Sequence, residues 1–339
     1  ALDALGGDHA PDAPVEGALA ALRDLADLEV VLVGNQEQVA AAVKKASGAD
    51  RVPRLSIHHA PDVIGMEESP VRAVRHKPDS SMVQTLRLVK DHQASAAISA
   101  GSTGALMAAG LLVLGRMPGI ERPALSAILP AMKGWGVMLL DVGANLEPKS
   151  AHLIQYALLG SSYCQEVYGL ASPRVGLLNI GSEARKGPKI LREVHERLSH
   201  SSLNFIGNVE ARELLSGQVD VVVSDGFSGN IALKLTEGLG RDLMGELRAM
   251  LLANWQSKAA AALLAAPLRR LKKRLDYQEY GGAPLLGLGE IAFKCHGASQ
   301  GRAFQRALNL AYQYCAHNTH EHLQMRLFKE GSLWQEEPS

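Results

Sequence analysis

The chain has 339 residues, of which 47% are hydrophobic, 21% charged and 4% aromatic, and its formal net charge is zero. This length allows a sizeable core in one large domain or two lobes. Zero net charge and few aromatic rings argue against nucleic acid as a partner. No apolar run is long enough to span a membrane, and three widely spaced cysteines without a C-x-x-C pair favour a reducing cytoplasm.

The secondary structure predicted along the chain alternates between strands and helices. The opening residues ALDALGG lie within a predicted strand, so we expect an initiator methionine and a few more residues before them. Apolar runs predict further strands at residues 28–33, 96–99, 125–129, 137–141, 175–180 and 219–224. Helical periodicity predicts helices at residues 15–25, 36–45, 82–90, 105–114 and 150–168. This alternation predicts an α/β fold, a three-layer αβα sandwich with a mainly parallel sheet. We expect one domain over residues 1–330, in one body or in two lobes around a cleft.

Residues 239–277 differ from the rest because they predict a long, protruding helical segment, interrupted at Pro267. After the proline, leucines recur at helical spacing among arginines and lysines. An apolar stripe within a basic surface suits anionic lipid headgroups. We therefore predict membrane contact by Leu268, Arg269, Arg270, Leu271, Lys272 and Lys273. The alternative is a helical hairpin that packs against a partner subunit and leaves its basic face in solvent.

The stretch VDVVVSDGFSGNIALK, residues 219–234, predicts a buried strand followed by a glycine-containing turn and a helix. Amide groups at the start of a helix point outward and favour an anion. Asp225, Gly229 and Asn230 are therefore candidate site residues. The alternative is an ordinary connection in which Asp225 or Ser228 caps the helix.

Other polar loops also follow predicted strands, and in a parallel sheet such loops converge on one crevice. SAGSTG at residues 99–104 leads directly into a helix and presents successive amides to a phosphate group. Lys186 could pair with phosphate or stabilise an oxyanion, although a surface lysine is the commoner case. The candidate side chains in the remaining loops are Asp8, His9, Asp141, Asn145, Glu183 and His296.

Two further patterns are weak. Gly287, Gly289 and Ala292 match G-x-G-x-x-A, but no convincing strand is predicted before them and no βαβ unit around them. A cluster near the end of the chain could hold a metal, although solvated histidines are commoner there. Its members are Cys315, His317, His320 and His322. We predict no metal and no other cofactor.

Seven ordered motifs together carry a family resemblance: GGDHAP, SAGSTGAL, DVGAN, NIGSEARKG, SDGFSGN, GGAPLLG and HGAS. They closely resemble the bacterial phosphate acyltransferases of phospholipid synthesis, the acyl-carrier-protein:phosphate acyltransferase family. The match runs from residue 3 to about residue 317. The sequence departs from the common family pattern at Ser102, Ser182 and Ala298.

The resemblance implies a fold similar to phosphotransacetylase and to the isocitrate and isopropylmalate dehydrogenases. It implies reversible transfer of a long-chain acyl group from acyl carrier protein to inorganic phosphate. A membrane glycerol-3-phosphate acyltransferase would then use the acyl phosphate. It also implies a homodimer, associated peripherally with the inner face of the cytoplasmic membrane.

We predict two sets of site residues for this reaction. The predicted catalytic residues are Lys186, Asn230, Asp225 and His9. The predicted phosphate- or substrate-binding residues are Asp8, Ser102, Thr103, Gly104, Asp141, Asn145, Glu183, Gly229 and His296. Three alternatives remain: a phosphotransacetylase-like enzyme that uses acyl-coenzyme A, an NAD enzyme of the isocitrate dehydrogenase type, and a non-catalytic membrane scaffold.

Overall fold

A computed structural model describes residues 1–275 and 281–330, with side chains omitted at residues 272–275. The strands are β1 Leu2–Asp3, β2 Val30–Gly34, β3 Leu55–His59, β4 Ala97–Ser99, β5 Ala124–Leu129, β6 Val137–Leu140, β7 Val175–Asn179, β8 Phe205–Glu210, β9 Val221–Val223, β10 Ala283–Leu286 and β11 Ala292–Lys294. The helices are α1 Asp12–Asp24, α2 Gln36–Ser47, α3 Pro70–His76, α4 Ser81–Lys90, α5 Thr103–Val113, α6 Ser150–Tyr168, α7 Lys189–Ser199, α8 Gly226–Leu252, α9 Trp255–Leu263, α10 Ala265–Leu275, α11 Gly301–Ala316 and α12 Thr319–Lys329.

The eleven strands of the described residues form one sheet in the order β3-β2-β1-β4-β11-β10-β5-β6-β9-β7-β8. Neighbouring strands are parallel except in the middle, where β11–β10, β10–β5 and β5–β6 are antiparallel. The sheet thus consists of two parallel groups that run in opposite directions. One group is β3, β2, β1, β4 and β11, and the other is β6, β9, β7 and β8. The mainly parallel sheet predicted from the sequence is confirmed, and the antiparallel centre is an addition to it.

The carboxyl ends of the two parallel groups meet at the centre of the sheet. Lys294, the last residue of β11, is paired with Ala283, and Leu140, the last residue of β6, is paired with Ser126. The Ser126 hydroxyl donates to the carbonyl of Pro284, which follows Ala283. Both strand ends therefore lie at the same level of the middle strands. Loops from the two groups can face each other there even though the groups run in opposite directions.

Helices cover both faces of the sheet, as a three-layer sandwich requires. Helices α1, α2, α6, α7, α11 and α12 contribute buried side chains to one core, and α3, α4, α5 and α8 pack on the other. Strand side chains alternate between these cores: Met138 and Leu140 enter the first, whereas Val137 and Leu139 enter the second. Helix α1 crosses α11 closely at Gly17, where a Cβ would overlap the carbonyl of Gly301.

The helical segment predicted at 239–277 is interrupted at other residues than the one predicted from the sequence. Helix α8 begins at Gly226, and the chain breaks at Ala253–Asn254 and again at Leu264. Pro267 is the third residue of α10, so the interruption predicted at Pro267 is wrong by three residues. A proline is tolerated in the first turn because the amides there have no partner within the helix. Tyr277 lies outside the described residues.

No helix within residues 1–275 and 281–330 is both long and apolar enough to cross a membrane.

Candidate active site

A pocket of about 480 Å³ lies over β5, where the carboxyl ends of the two parallel groups meet. Loops that follow β1, β4 and β11 form one side, and the loop after β6 and the first turns of α8 form the other. Its lining includes the polar residues Asp8, Thr103, Ser126, Asn230, Lys234, Glu237, Lys294 and His296. Four of these, Asp8, Thr103, Asn230 and His296, were predicted as site residues, so the structure brings together side chains from distant parts of the sequence.

The loops on the first side are tied to one another by hydrogen bonds. The main-chain N–H of Asp8 donates to the carbonyl of Gly297 over 2.8 Å. At the start of α5, the Ser102 hydroxyl accepts from the N–H of Ala105 at 3.5 Å, which makes Ser102 the helix N-cap. Thr103 is the first residue of α5 and lines the pocket. The positive end of this helix therefore adjoins the pocket.

Lys294 is a pocket residue that the sequence analysis missed. It is the last residue of β11, 8% exposed, and its ammonium donates to the carbonyl of Ala100 at 3.2 Å and to that of Cys295. Burial lowers its pKa to about 8, against the smaller opposing effects of Cys295, Asp3 and Asp8. In the sequence, Lys294 follows two apolar residues in the string AFKCHG, which is the only local sign that it could be buried. This pattern does not distinguish a buried ammonium from one that reaches solvent.

His296 extends the same loop beyond β11 and lies exposed at the pocket. Its Nδ1 accepts from the main-chain N–H of Ala298 at 3.1 Å. Because Nδ1 is an acceptor, a neutral ring carries its hydrogen on Nε2. The hydrogen bond from Ala298 thus fixes which ring nitrogen of a neutral His296 is protonated.

On the second side of the pocket, Asn230 lies in the second turn of α8, beside the loop that follows β6. A Cβ built on Gly143 would stand 3.7 Å from the Asn230 side-chain carbon. Asp225 caps this helix, since its carboxylate accepts from the N–H of Ser228 at 2.7 Å. The capping alternative for Asp225 is confirmed, and Asp225 is absent from the described pocket lining.

Asp141 and Asn145 brace the loop after β6 from within. The buried Asp141 carboxylate accepts from the N–H groups of Leu125, Ala144 and Asn145 and from the Asn145 side-chain amide. Burial raises the pKa of Asp141, and these hydrogen bonds oppose that shift. In the described lining, the pocket contacts of this loop come instead from Val142 and Gly143.

Two predicted glycines lie where helices pack closely. A Cβ on Gly229 would overlap the carbonyl oxygen of Asp141, so glycine allows α8 to approach the loop after β6. A Cβ on Gly104 would stand 2.8 Å from the ring of Pro70, at the contact between α5 and α3. Packing explains the absence of a side chain at both positions.

Three further predicted residues, Lys186, Glu183 and His9, also lie outside the described pocket lining. Lys186 and Glu183 are exposed on the loop after β7, with Nζ and carboxylate 3.8 Å apart. The side-chain amide of Asn179 donates to the Lys186 carbonyl, and that of Asn208 donates to the Glu183 carbonyl. These two hydrogen bonds stabilise the conformation of the loop. His9 is also exposed, next to Asp8 in the loop after β1.

The two weak patterns have structural explanations. Strand β10 ends directly before Gly287, so the expectation that no strand precedes this glycine motif is wrong. The motif nevertheless leads into β11 through an antiparallel turn, which is not the βαβ unit of a dinucleotide site. In the histidine cluster, His320 contacts the carbonyl of Gly289 and His322 pairs with Glu166.

Solved structures define the class of fold. The chain is similar to a phosphotransacetylase from Streptococcus pyogenes, with a TM-score of 0.59 and 18% identity over 89% of this chain and 91% of that one. It is also similar to a branched-chain phosphotransacylase from Enterococcus faecalis V583, with a TM-score of 0.58 and 13% identity over 92% and 97% of the two chains. The phosphotransacetylase-like α/β fold predicted from the sequence is thus confirmed.

Sequence comparison defines the family within that fold. Residues 1–322 match the family described as fatty acid synthesis protein, and the chain belongs to it. A phosphate acyltransferase from Bacillus licheniformis is 46% identical over 318 residues, or 94% of each chain. Another from Bacillus cereus is 49% identical over 308 residues, 91% of this chain and 92% of that protein. The protein is an acyltransferase enzyme.

Proposed function

We propose that this enzyme transfers a long-chain acyl group between the thioester of acyl carrier protein and inorganic phosphate, in both directions. The observation that carries the proposal is the pocket between Thr103 and Asn230. A helix N-terminus suited to a phosphate group lies on one side, and an amide side chain suited to a carbonyl oxygen lies on the other. The similarity to phosphate acyltransferases supports the same reaction.

Phosphate is itself the nucleophile in this reaction. One of its oxygens attacks the thioester carbonyl, and the resulting tetrahedral intermediate expels the carrier thiolate, which then takes a proton. No covalent enzyme intermediate is needed, so the protein contributes positioning and electrostatic stabilisation. We assign phosphate binding to the amides at 102–104 and the oxyanion contact to Asn230. We place the His296 ring beside the reacting groups, because it lines the same pocket.

Four other predicted residues have supporting rather than direct roles in this scheme. Asp141, Asn145 and Gly229 position the loop after β6 and the start of α8, and Asp225 caps that helix. Lys186, Glu183 and His9 remain predicted site residues, and all three are exposed outside the described pocket lining.

The donor is tested by turnover. The enzyme is incubated with long-chain acyl carrier protein and inorganic phosphate, and acyl phosphate and free carrier are measured together. Equal amounts of both products are expected, with faster reaction than from the matching acyl-coenzyme A. Preference for acyl-coenzyme A would support the phosphotransacetylase-like alternative that the fold allows. A thermal shift with NAD but no turnover would instead support the nicotinamide enzyme.

We further propose that the chain forms a homodimer through the exposed face of α8. Large apolar side chains recur there every four residues, at Phe227, Ile231, Leu235, Leu239 and Leu243, and each is more than half exposed. Such a ridge fits into the groove of a second helix. The charged residues beside it are of both signs, including Arg241, Asp242 and Glu246, which suits a second copy better than an anionic surface.

Membrane contact is assigned to the neighbouring α10. Its sequence AAPLRRLKKRL contains five basic residues and no acidic one. Leu271 is 39% exposed beside the exposed Arg269 and Arg270, and Leu263 at the end of α9 is 88% exposed. An apolar and basic surface of this kind binds anionic headgroups. This contact would place the enzyme at the inner face of the cytoplasmic membrane, where a glycerol-3-phosphate acyltransferase consumes its product.

A further inference from the structure

Lys294 is a buried cation in the pocket wall that has no ion-pair partner in the described residues. Among the described residues, it is the only lysine or arginine that is less than 9% exposed. Its two hydrogen-bond partners in the described chain, the carbonyls of Ala100 and Cys295, are neutral. An ammonium has three donors, so one donor remains for a ligand. A buried charge is costly unless it is paired with an opposite charge.

The other buried charged groups are satisfied within the protein. The Asp220 carboxylate forms a two-point contact with the Arg174 guanidinium at 2.8 and 2.9 Å. Asp141 accepts hydrogen bonds from three main-chain N–H groups and one side-chain amide. Lys294 is different because it lies against a pocket and has no ion-pair partner in the described residues.

The titratable groups that face Lys294 come from two loops, those that follow β1 and β11. Asp3 at the end of β1 is buried, and its carboxylate accepts from the Ser99 hydroxyl at 2.6 Å. Asp8 follows on the same loop and lies exposed at the pocket. Cys295 and His296 adjoin Lys294 on the chain. Burial lowers the pKa of Lys294 more than the carboxylates of Asp3 and Asp8 raise it. The two carboxylates therefore compensate the charge of the ammonium only in part.

The position of Lys294 relative to α5 indicates what kind of ligand would pair with its ammonium. Lys294 is paired in register with Ser99, and its ammonium holds the carbonyl of Ala100, two residues before the N-cap Ser102. The amides at the start of α5 and the ammonium are therefore linked through one hydrogen bond, and both favour negative charge. Both groups thus favour a small anion in the pocket.

We propose that the Lys294 ammonium is the cationic ligand of the phosphate substrate, acting together with the amides at the start of α5. This assignment rests on the proposed function, which makes inorganic phosphate a substrate. Lys294 is then a substrate-binding residue that stays charged when an anion is present. It also makes anion binding depend on its own protonation.

The proposal has a pH signature. Anion binding requires the ammonium form, which the free enzyme loses as the pH rises through the Lys294 pKa of about 8. Affinity for an anion should fall by roughly tenfold per pH unit above that value. Sulfate separates this effect from the titration of phosphate itself, because sulfate keeps the same charge throughout the range.

The test is calorimetric titration of the full chain with inorganic phosphate and with sulfate, without an acyl donor, from about pH 7 to about pH 9.5. Lys294→Met should weaken binding of both anions by roughly 10- to 100-fold at neutral pH. Lys294→Arg should bind them without the alkaline loss, because the guanidinium stays protonated. The control is Lys90→Met, which removes an exposed lysine at the end of α4 and should bind like wild type.

Unchanged anion affinity in a folded Lys294→Met variant would overturn the proposal. If that variant does not fold, the wild-type sulfate titration decides, and a flat affinity between the two pH limits would overturn it. Because no acyl donor is present, the result is separate from the proposed function. An enzyme that binds phosphate through Lys294 but forms no acyl phosphate would contradict only the proposed reaction.

Discussion

Gly229 of α8 lies directly against the carbonyl oxygen of Asp141, with no room between them for a Cβ. The contact joins the first turn of α8 to the loop after β6, and the N–H of Gly226 adds a hydrogen bond to the carbonyl of Asn145 at 2.8 Å. The position of Asn230 in the pocket therefore depends on a glycine at 229.

Gly229→Ala should destabilise the protein by about 1–3 kcal/mol, because the new methyl group must displace backbone rather than a flexible side chain. The change is measured as the midpoint of urea unfolding. Gly238→Ala on the same helix is the matched control, since a Cβ there meets nothing within 4 Å. That control should stabilise by up to about 1 kcal/mol through helix propensity. Equal stability of the two variants would contradict the close contact.

Asn230→Ala should lower the rate of acyl-phosphate formation by about a hundredfold, because it removes a donor to the oxyanion, a loss of about 3 kcal/mol. The KM for phosphate should change little, since the proposed phosphate site is on the opposite side of the pocket. Asn204→Ala, an exposed asparagine before β8, is the control and should keep full activity. Normal turnover in Asn230→Ala with intact folding would remove Asn230 from the mechanism.

Lys186→Ala tests the lysine that was predicted as catalytic and lies outside the pocket lining. If Lys186 reaches the reacting groups, turnover should fall at least tenfold, whereas the free energy of unfolding should change by less than about 0.5 kcal/mol because the residue is exposed. The exposed Lys189, three residues further along, is the control for loss of a charge. Similar activity in the Lys186→Ala and Lys189→Ala variants would assign Lys186 to the solvated surface.

Asp220 predicts a pH dependence of stability. Burial favours the protonated acid, but the hydrogen bonds and charge of Arg174 outweigh it and lower the pKa of Asp220. A carboxylate with a lowered folded pKa stabilises the protein above the unfolded value of about 3.9, and this contribution is lost as the pH falls through the folded value.

The free energy of unfolding of Asp220→Asn should therefore be lower than that of wild type by at most about 1 kcal/mol at neutral pH, because Arg174 is partly exposed and solvent weakens the ion pair. On acidification, the free energy of unfolding should fall less in the variant than in wild type. Urea unfolding at a series of pH values measures both effects. Asp242→Asn, an exposed aspartate on α8, makes the same charge change and should match wild type. Parallel acid profiles for Asp220→Asn and wild type would contradict the assignment.

Replacing both Leu268 and Leu271 by glutamate should release the protein from vesicles that contain anionic lipid, because it removes apolar contact and adds negative charge on α10. Flotation with anionic and with zwitterionic vesicles measures the binding. Leu235→Glu on the exposed face of α8 is the comparison and should convert dimer to monomer in sedimentation. Unchanged flotation of the double variant would support the alternative that this segment packs against a partner subunit. Lys272 and Lys273 lie outside the residues whose side chains are described.

Much of the secondary structure could be predicted from local pattern. The helix expected at residues 150–168 has those bounds in the structure, and the strands expected near 125–129 and 137–141 are β5 and β6. Strands β10 and β11 were missed because four and three residues are too few for a periodicity to show. The second parallel group is reversed by the antiparallel pairing of β5 with β6, which an alternation of strands and helices does not reveal because it predicts parallel neighbours.

The candidate site divides in the same way. Asp8, Thr103, Asn230 and His296 were found because polar groups after apolar strands stand out in a sequence, and all four line one pocket. Asp141 and Asn145 carry the same signal, yet their side chains bond to the loop itself. A sequence places a polar residue after a strand but does not say whether its side chain turns inward or toward a ligand.

The amino-acid sequence by itself determined the family, the α/β class and several of the loops that line the candidate pocket, because these follow from local pattern and ordered motifs. The tertiary structure alone decided which loops share a pocket, that Lys186 lies beyond its described lining, and that Lys294 is a buried cation beside α5. The physical reason is that the burial and charge compensation of a side chain depend on its neighbours across the sheet. Lys294 is buried because β11 pairs with β4, a strand almost 200 residues away in the sequence.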